Sequence, residues 1–378
     1  MKIKWAFFAV LVVFFVLAMN SSVVAVNTSK VDNVLKKGVL DDQDFKIIDE
    51  FLAEAVDELV KTKDFTSIAK LRTVILSRQS KQGQYAQQFS ESALKHIQEG
   101  FKQAQMLRQP ERTTNVMINL VILIDGLQDI RLTNLAIGML KNENMVIRYW
   151  AVHCLVNPVI LQQLNSAAES DPTLVQTIAE QFKELVETSS PEIIAFIARF
   201  AANVKIPQGE ELLLQIADMR IKRYADWTVK YELLDGALLQ LLESKIPLPS
   251  QNLSGQLPTK SSKPAVARRF AQLYSYAIQR YINGAGLLNG TQKGHLVSVL
   301  VEIEDKCIGR LSGKPQASIR RAVERNNMPA LLDEHNRLLG SETAPGQLPA
   351  QLGFDYSTTT DGPKRAAPIP LPPPPKKQ

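Results

Sequence analysis

Leu140-Lys-Asn-Glu-Asn-Met-Val-Ile-Arg-Tyr-Trp-Ala-Val-His-Cys-Leu155 reads as a short polar turn feeding an apolar-faced helix. Lys141 to Asn144 supply the turn, and Val146 and Ile147 precede Arg148. Ala151 and Leu155 follow at helical spacing, on the face that meets a neighbouring element. Ala151 stands where a close helix approach needs a small side chain. Arg148 carries a fixed fork of donors suited to carboxylates or carbonyls in an adjacent turn.

A second stretch repeats the layout. Leu185-Val-Glu-Thr-Ser-Ser-Pro-Glu-Ile-Ile-Ala-Phe-Ile-Ala-Arg-Phe-Ala-Ala202 is again a polar turn and then an apolar helix, offset by 47 residues when Val146-Ile147 is aligned with Ile193-Ile194. Ser190 before Pro191 is a helix-start signal, and Ala195 stands where Arg148 would be. The pair resembles the second helices of HEAT/armadillo-type helical repeats. That resemblance implies an all-α fold of antiparallel helix pairs stacked as a short HEAT-like solenoid, best developed over 112–204. Arg148, Ala151 and Leu155 are then its repeat-stacking residues.

Working outward, one helix is expected to begin near Asp41 or Asp42 and carry Phe45 to Leu59, a second to run from about Asp64, and a third over about 84–107, closed by Pro110. Val116 to Ile124 is apolar almost all round. Its β-branched content also suits a strand, but nothing else in the chain offers a partner strand, so a buried helix is expected. Beyond the repeats, helices are expected at about 209–223 and 226–244. The second is lined by Trp227, Tyr231, Leu234, Leu238 and Leu241. Helical segments continue through 265–340. The domain reading is therefore a flexible lead-in at 26–40, a helical repeat domain at 41–247, a polar loop at 248–264, a basic helical region at 265–340 and a proline-rich disordered tail at 341–378. Seven prolines in the last seventeen residues favour extended polyproline II, as a spacer or a docking ligand.

Charge is unevenly distributed. Residues 111–259 hold 12 basic and 17 acidic side chains, whereas 260–325 hold 12 basic and 4 acidic. Arg268, Arg269, Arg280, Arg320, Arg321 and Arg325 thus form a candidate surface for an anionic partner. At the N-terminus, Lys2 and Lys4 precede fifteen unbroken apolar residues, Trp5 to Met19, and Val23-Val-Ala25 offers a small-residue cleavage site. The apolar run reaches roughly 22 Å as a helix, short of the roughly 30 Å hydrocarbon core. A signal peptide over 1–25 is expected, with a retained membrane anchor as the alternative, so the body of the chain is expected in the periplasm, the envelope or outside the cell.

The chemical motifs point away from catalysis. Gly284 to Gly294 is glycine-rich but lacks the spacing and the strand of a phosphate loop, and reads as an inter-helix turn. His96, His153, His295 and His335 lie on separate elements, and Cys154 and Cys307 read as two buried thiols. No catalytic, cofactor-binding or metal-ligating set is read. The expected function is an exported, non-enzymatic helical-repeat scaffold or protein-interaction module of the cell envelope. An exported α-helical enzyme or enzyme-maturation factor with a site assembled from distant residues is the alternative. A binder of anionic polymer or membrane surface through 265–325 is a third reading; export disfavours nucleic acid.

Overall fold

A computed structural model describes residues 26–80, 83–247, 263–284, 286–357 and 364–375. The leader, most of the 248–264 loop and the last three residues lie outside the described residues. The fold is all-α. In chain order the helices are α1 (Ser29–Val34), α2 (Asp42–Lys61), α3 (Phe65–Leu76), α4 (Gly83–Gln105), α5 (Pro110–Leu127), α6 (Thr133–Met139), α7 (Met145–Leu155), α8 (Pro158–Ala168), α9 (Thr173–Leu185), α10 (Pro191–Asn203), α11 (Pro207–Ala225), α12 (Leu233–Glu243) and α13 (Pro264–Asn283). Then come α14 (Gly290–Ile303), a π-helical turn (Glu304–Ile308), α15 (Gly309–Ser312), α16 (Ser318–Glu324), α17 (Met328–Leu339) and α18 (Gln347–Leu352). A minimal ladder pairs Gly340 with Pro345 and Ser341 with Ala344. No described helix is long and apolar enough to cross a membrane.

The chain forms two compact units that divide at Ile160/Leu161, within α8. In the first, α2 packs on α3 and α4, and α5 packs on α3, α4 and α7. Asp41 starts α2 through a reciprocal capping box with Asp44, which satisfies two helix-end donors at once. Gly100 in α4 permits a tight crossing: a Cβ there would lie 2.9 Å from Val56 Cγ1 and 3.4 Å from Leu120. The apolar stretch Val116 to Ile124 is indeed helical and lies in α5, whose Leu120, Val121 and Leu123 are fully buried.

The turn and helix of the opening stretch form where the pattern places them, but the bonds of Arg148, expected to reach an adjacent repeat, lie within its own turn. The Asn144 side chain accepts from the N–H groups of Val146 and Ile147, starting α7, and Ala151 and Leu155 are fully buried. Arg148 Nη1 turns back on its own turn, donating to the carbonyls of Asn142 (2.7 Å) and Glu143 (3.0 Å). His153 bonds Asp125 of α5 through Nδ1 at 3.0 Å, an inter-helix hydrogen bond. Ser190 occupies the N-cap of α10 but makes no side-chain cap bond; Pro191 in the first turn sets the helix start.

Three expectations change, the first being that the stretch from 341, expected as a disordered tail, holds α18 and one side of the ladder. The lead-in is not flexible throughout, because α1 buries Val31 and Val34, and Asp32 pairs with Arg78 at 3.0 Å. The helix expected over 226–244 begins only at Leu233, and residues 226–232 form a loop in which Trp227 and Tyr231 adopt left-handed backbone, φ 56° and 59°.

In the second unit, α11 packs on α9, α10 and α13, and α12 packs on α10, α13 and α14. Helices α10, α11 and α12 each meet their next and next-but-one neighbours in sequence. The pattern ends at α13, against which α17 and α18 fold back. From Phe270 to Ile278 every residue of α13 is buried, so it is a central helix rather than an amphipathic cover.

The sealed position of Ala151 makes a direct test. Ala151→Glu would bury an unpaired carboxylate at a close contact, and we expect a loss of at least about 3 kcal/mol of stability or outright aggregation. A circular-dichroism melt superimposable on wild type would contradict it.

Candidate binding site

Several polar side chains along the buried part of α13 are met by other parts of the second unit. Gln272 is nearly buried; its Nε2 donates to the carbonyl of Ile369 (3.0 Å) and its Oε1 accepts from the N–H of the same residue (2.8 Å). Gln279 Oε1 accepts from the N–H of Leu371 at 2.7 Å. Trp227 Nε1 donates to the carbonyl of Pro372 at 2.9 Å. The C-terminal segment over 364–375, expected to be a disordered spacer, is therefore laid along α13. Proline donates no N–H to a ladder, yet its carbonyls and the rare N–H groups between prolines are open to side-chain donors and acceptors. Upstream, Tyr356 N–H donates to the Arg365 carbonyl (3.1 Å), and Arg268 Nε donates to the Asp355 carbonyl (2.8 Å).

The loop that presents Trp227 is set by a buried charge network. Arg220 of α11 forks onto Asp235 of α12, Nε to Oδ1 at 2.6 Å and Nη2 to Oδ2 at 2.8 Å, and Nη1 donates to the Lys230 carbonyl at 3.1 Å. Tyr224 donates its hydroxyl to Asp235 Oδ2 at 2.8 Å. Arg220, Tyr224 and Asp235 are all essentially inaccessible. Burial opposes charge on Arg220, but the Asp235 carboxylate outweighs it and holds the guanidinium above its ordinary pKa. Burial, reinforced by Asp235, raises the Tyr224 phenol. One layer away, Arg280 of α13 points Nη2 at Glu232 (3.5 Å) and lies over two rings, 5.8 Å from that of Tyr224 and 5.4 Å from that of Trp227.

Trp227 closes α11. The Thr228 N–H reaches back to the Arg223 carbonyl (2.9 Å), which leaves Trp227 as the left-handed residue where glycine is usual. A left-handed non-glycine residue costs about 1–2 kcal/mol. Its contact with Arg280 and its bond to Pro372 offset that cost.

A third polar chain runs from α17. His335 Nε2 lies 2.8 Å from Ser275 Oγ, Gln279 Nε2 donates to the same Oγ at 2.8 Å, and His335 Nδ1 lies 3.0 Å from Asn336 Oδ1. Asn336 Oδ1 can only accept, which places a ring proton on Nδ1; in the neutral imidazole Nε2 then takes the Ser275 hydroxyl hydrogen. Burial lowers the His335 pKa from its ordinary value. The spacing is that of a nucleophile and a base, but Ser275 is wholly inaccessible, so no substrate carbonyl reaches its oxygen. Beside this chain a cleft of ≈ 460 Å³ opens between α13, α17 and the tail, floored by Gln279 and His335 and rimmed by Arg365 and Pro368.

The six arginines read as an anionic-partner surface are not one surface. Arg280 is buried in the network above. Arg269 is forked onto Asp218 at 2.9 Å, Arg320 pairs with Asp305, and Arg268 is engaged by the Asp355 carbonyl. Arg321 and Arg325 line a shallow cleft with Arg337, Asp333 and Glu334, so carboxylates are interleaved there as well. Cys154 and Cys307 are both buried and free; burial pushes the Cys307 thiol up to about 12 and that of Cys154 higher. The 284–294 turn ends in Asn289, which caps α14 through a reciprocal box with Gln292. Among the described residues no cluster of His, Cys, Asp and Glu could hold a metal ion.

Sequence reading named none of Gln272, Gln279, Ser275 or Asp235 as a site residue. The available signal was an excess of polar residues on the α13 face opposite its apolar stripe, which a solvated helix shows equally.

No family model matches the chain, and no curated protein matches it. Among solved structures, the crystal structure of an engineered protein aligns over 86% of this chain and 97% of its own at 12% identity and a TM-score of 0.23, a level that carries no argument about fold or function.

Two measurements test this geometry. Asp235→Ala leaves Arg220 charged and unpaired in the interior, and we expect a loss of about 3–5 kcal/mol in urea unfolding. For His335, the unfolded chain takes up a proton near pH ~6.5, while the native imidazole resists it. The unfolded state thus binds more protons, so this contribution is full above about pH 6.5 and is lost as the pH falls through the native value. The wild-type melting temperature should therefore drop more steeply than that of His335→Gln between about pH 7 and about pH 5; parallel profiles would refute the assignment.

Proposed function

We propose that this protein is an exported, non-enzymatic helical-repeat scaffold of the cell envelope that works by holding other proteins. The observation that carries the reading is the Gln272 side-chain amide, which pairs with both the N–H and the carbonyl of one residue in an extended segment. Side chains that grip backbone in this way recognise a chain by its conformation, which is binding chemistry rather than bond-breaking chemistry. Export rests on the positive n-region, the apolar run and the small-residue site of the leader. The HEAT-like reading rests on the turn-then-helix layout at α7 and α10 and on the next and next-but-one packing of α10, α11 and α12, which is how quasi-one-dimensional arrays bury their faces.

The competing reading, a basic surface for an anionic polymer, loses force with Arg280 buried and Arg269 and Arg320 paired, because paired surface charges attract a third ion weakly.

A photo-crosslinking residue placed at the exposed Tyr231 or Leu233 of the full-length chain in its native compartment separates the two. We expect a discrete adduct with one protein that persists at high salt. Retention on anionic vesicles or polymer that is abolished by salt and by Arg321→Ala with Arg325→Ala, with no protein adduct, would overturn the scaffold reading.

A further inference from the structure

We propose that the groove on α13 is a receptor for proline-rich segments of a partner protein, and that residues 368–375 of this chain are its resident competitor. This rests on the scaffold reading and names the class of ligand the scaffold takes.

Pro368-Ile-Pro-Leu-Pro-Pro-Pro-Pro375 contains six prolines and only two residues with a backbone N–H, Ile369 and Leu371. Both N–H groups are read, by Gln272 Oε1 at 2.8 Å and Gln279 Oε1 at 2.7 Å. Gln272 and the Trp227 indole then take the carbonyls of Ile369 and Pro372. Every donor this stretch can offer is thus matched by an acceptor placed for it. Pro368 and Leu371 are buried, and Ile369 and Pro374 are half-buried; Pro368, Leu371 and Pro374 recur every third residue, the repeat of a polyproline II helix. The ligand defined by these contacts is an extended Pro-φ-Pro-φ-Pro segment, where φ is an apolar residue that keeps its N–H. Pure polyproline lacks both donors and does not meet the requirement.

The grip is also exchangeable in kind. Pro370, Pro372, Pro373 and Pro375 face solvent, so half of the stretch contributes no buried side chain. A permanent strap would be held by apolar area; this one is held by four directional bonds and two inward side chains, which a second chain of the same pattern reproduces in full. Covalent attachment gives the resident segment a high effective concentration, so an incoming partner binds weakly until the resident is displaced or weakened.

The test uses the full-length chain and a fluorescent peptide copying residues 367–375. Ile369→Pro with Leu371→Pro in the chain's own tail removes the two donors and leaves the groove intact. We expect the peptide to bind this variant at least about tenfold tighter than it binds wild type. A peptide carrying the same two prolines should not bind, and adding Gln272→Ala with Gln279→Ala to the groove should abolish binding while melts confirm that the chain is folded.

Failure of the copied peptide to bind the tail-weakened variant would overturn the proposal and leave the segment as a fixed strap. Equal binding of the two peptides would overturn the reading of the N–H groups. Concentration-dependent dimers of wild type, lost in the tail variant, would assign the groove to the tail of a second copy instead of a partner. A peptide that binds in a chain that crosslinks to no protein defeats only the scaffold reading, and a crosslink without peptide binding defeats only this proposal.

Discussion

A helix buried on every side can send a polar side chain only to another part of the protein. Helix α13 is such a helix from Phe270 to Ile278; it carries Gln272 and Ser275 there, with the half-buried Gln279 and the buried Arg280 just beyond. An unmatched amide or guanidinium there would cost on the order of 1–3 kcal/mol or more. The second unit is arranged around supplying the partners: the proline-rich segment for the two glutamines, His335 of α17 for Ser275, and Glu232 with two aromatic rings for Arg280. Remove any of these and the others lose their reason for sitting where they do.

The same demand explains the one stretch of loop that displaces an expected helix. Arg220 and Asp235 satisfy each other inside the core, and Arg220 also claims the Lys230 carbonyl, which a continuous helix from 226 would have spent on its own ladder. The chain leaves helix at Trp227, accepts left-handed backbone at Trp227 and Tyr231, and resumes at Leu233. The indole so placed covers Arg280 on one side and holds Pro372 on the other. Buried charge, backbone strain and segment docking are therefore one linked arrangement.

That linkage is local to the second unit and cooperative in character. Ser275 receives from Gln279, and Gln279 receives from Leu371, so the neutral state of His335 and the seating of the C-terminal segment share a hydrogen-bonded path. The first unit is simpler: apolar stripes at helical spacing, Gly100 at a tight crossing, and caps at Asp41 and Asn144.

What the sequence determined by itself was what depends on near neighbours in the chain. Period-3.6 apolar spacing, Asp41 as a helix start, the polar turn at 141–144 and the small Ala151 on a sealed face are local signals, and the all-α class with most of its helix positions followed from them. The buried thiols were legible for the same reason. The candidate site was not, because each of its contacts joins residues far apart: Gln272 to Ile369, Trp227 to Pro372, Ser275 to His335. A glutamine or an arginine reads as solvated until the fold shows that solvent is absent, which is how Arg280 came to be counted as surface. Seven prolines in seventeen residues announce an extended conformation but not where it lies. Only tertiary packing decided that, because only a helix sealed on all sides left glutamines in need of a backbone to hold.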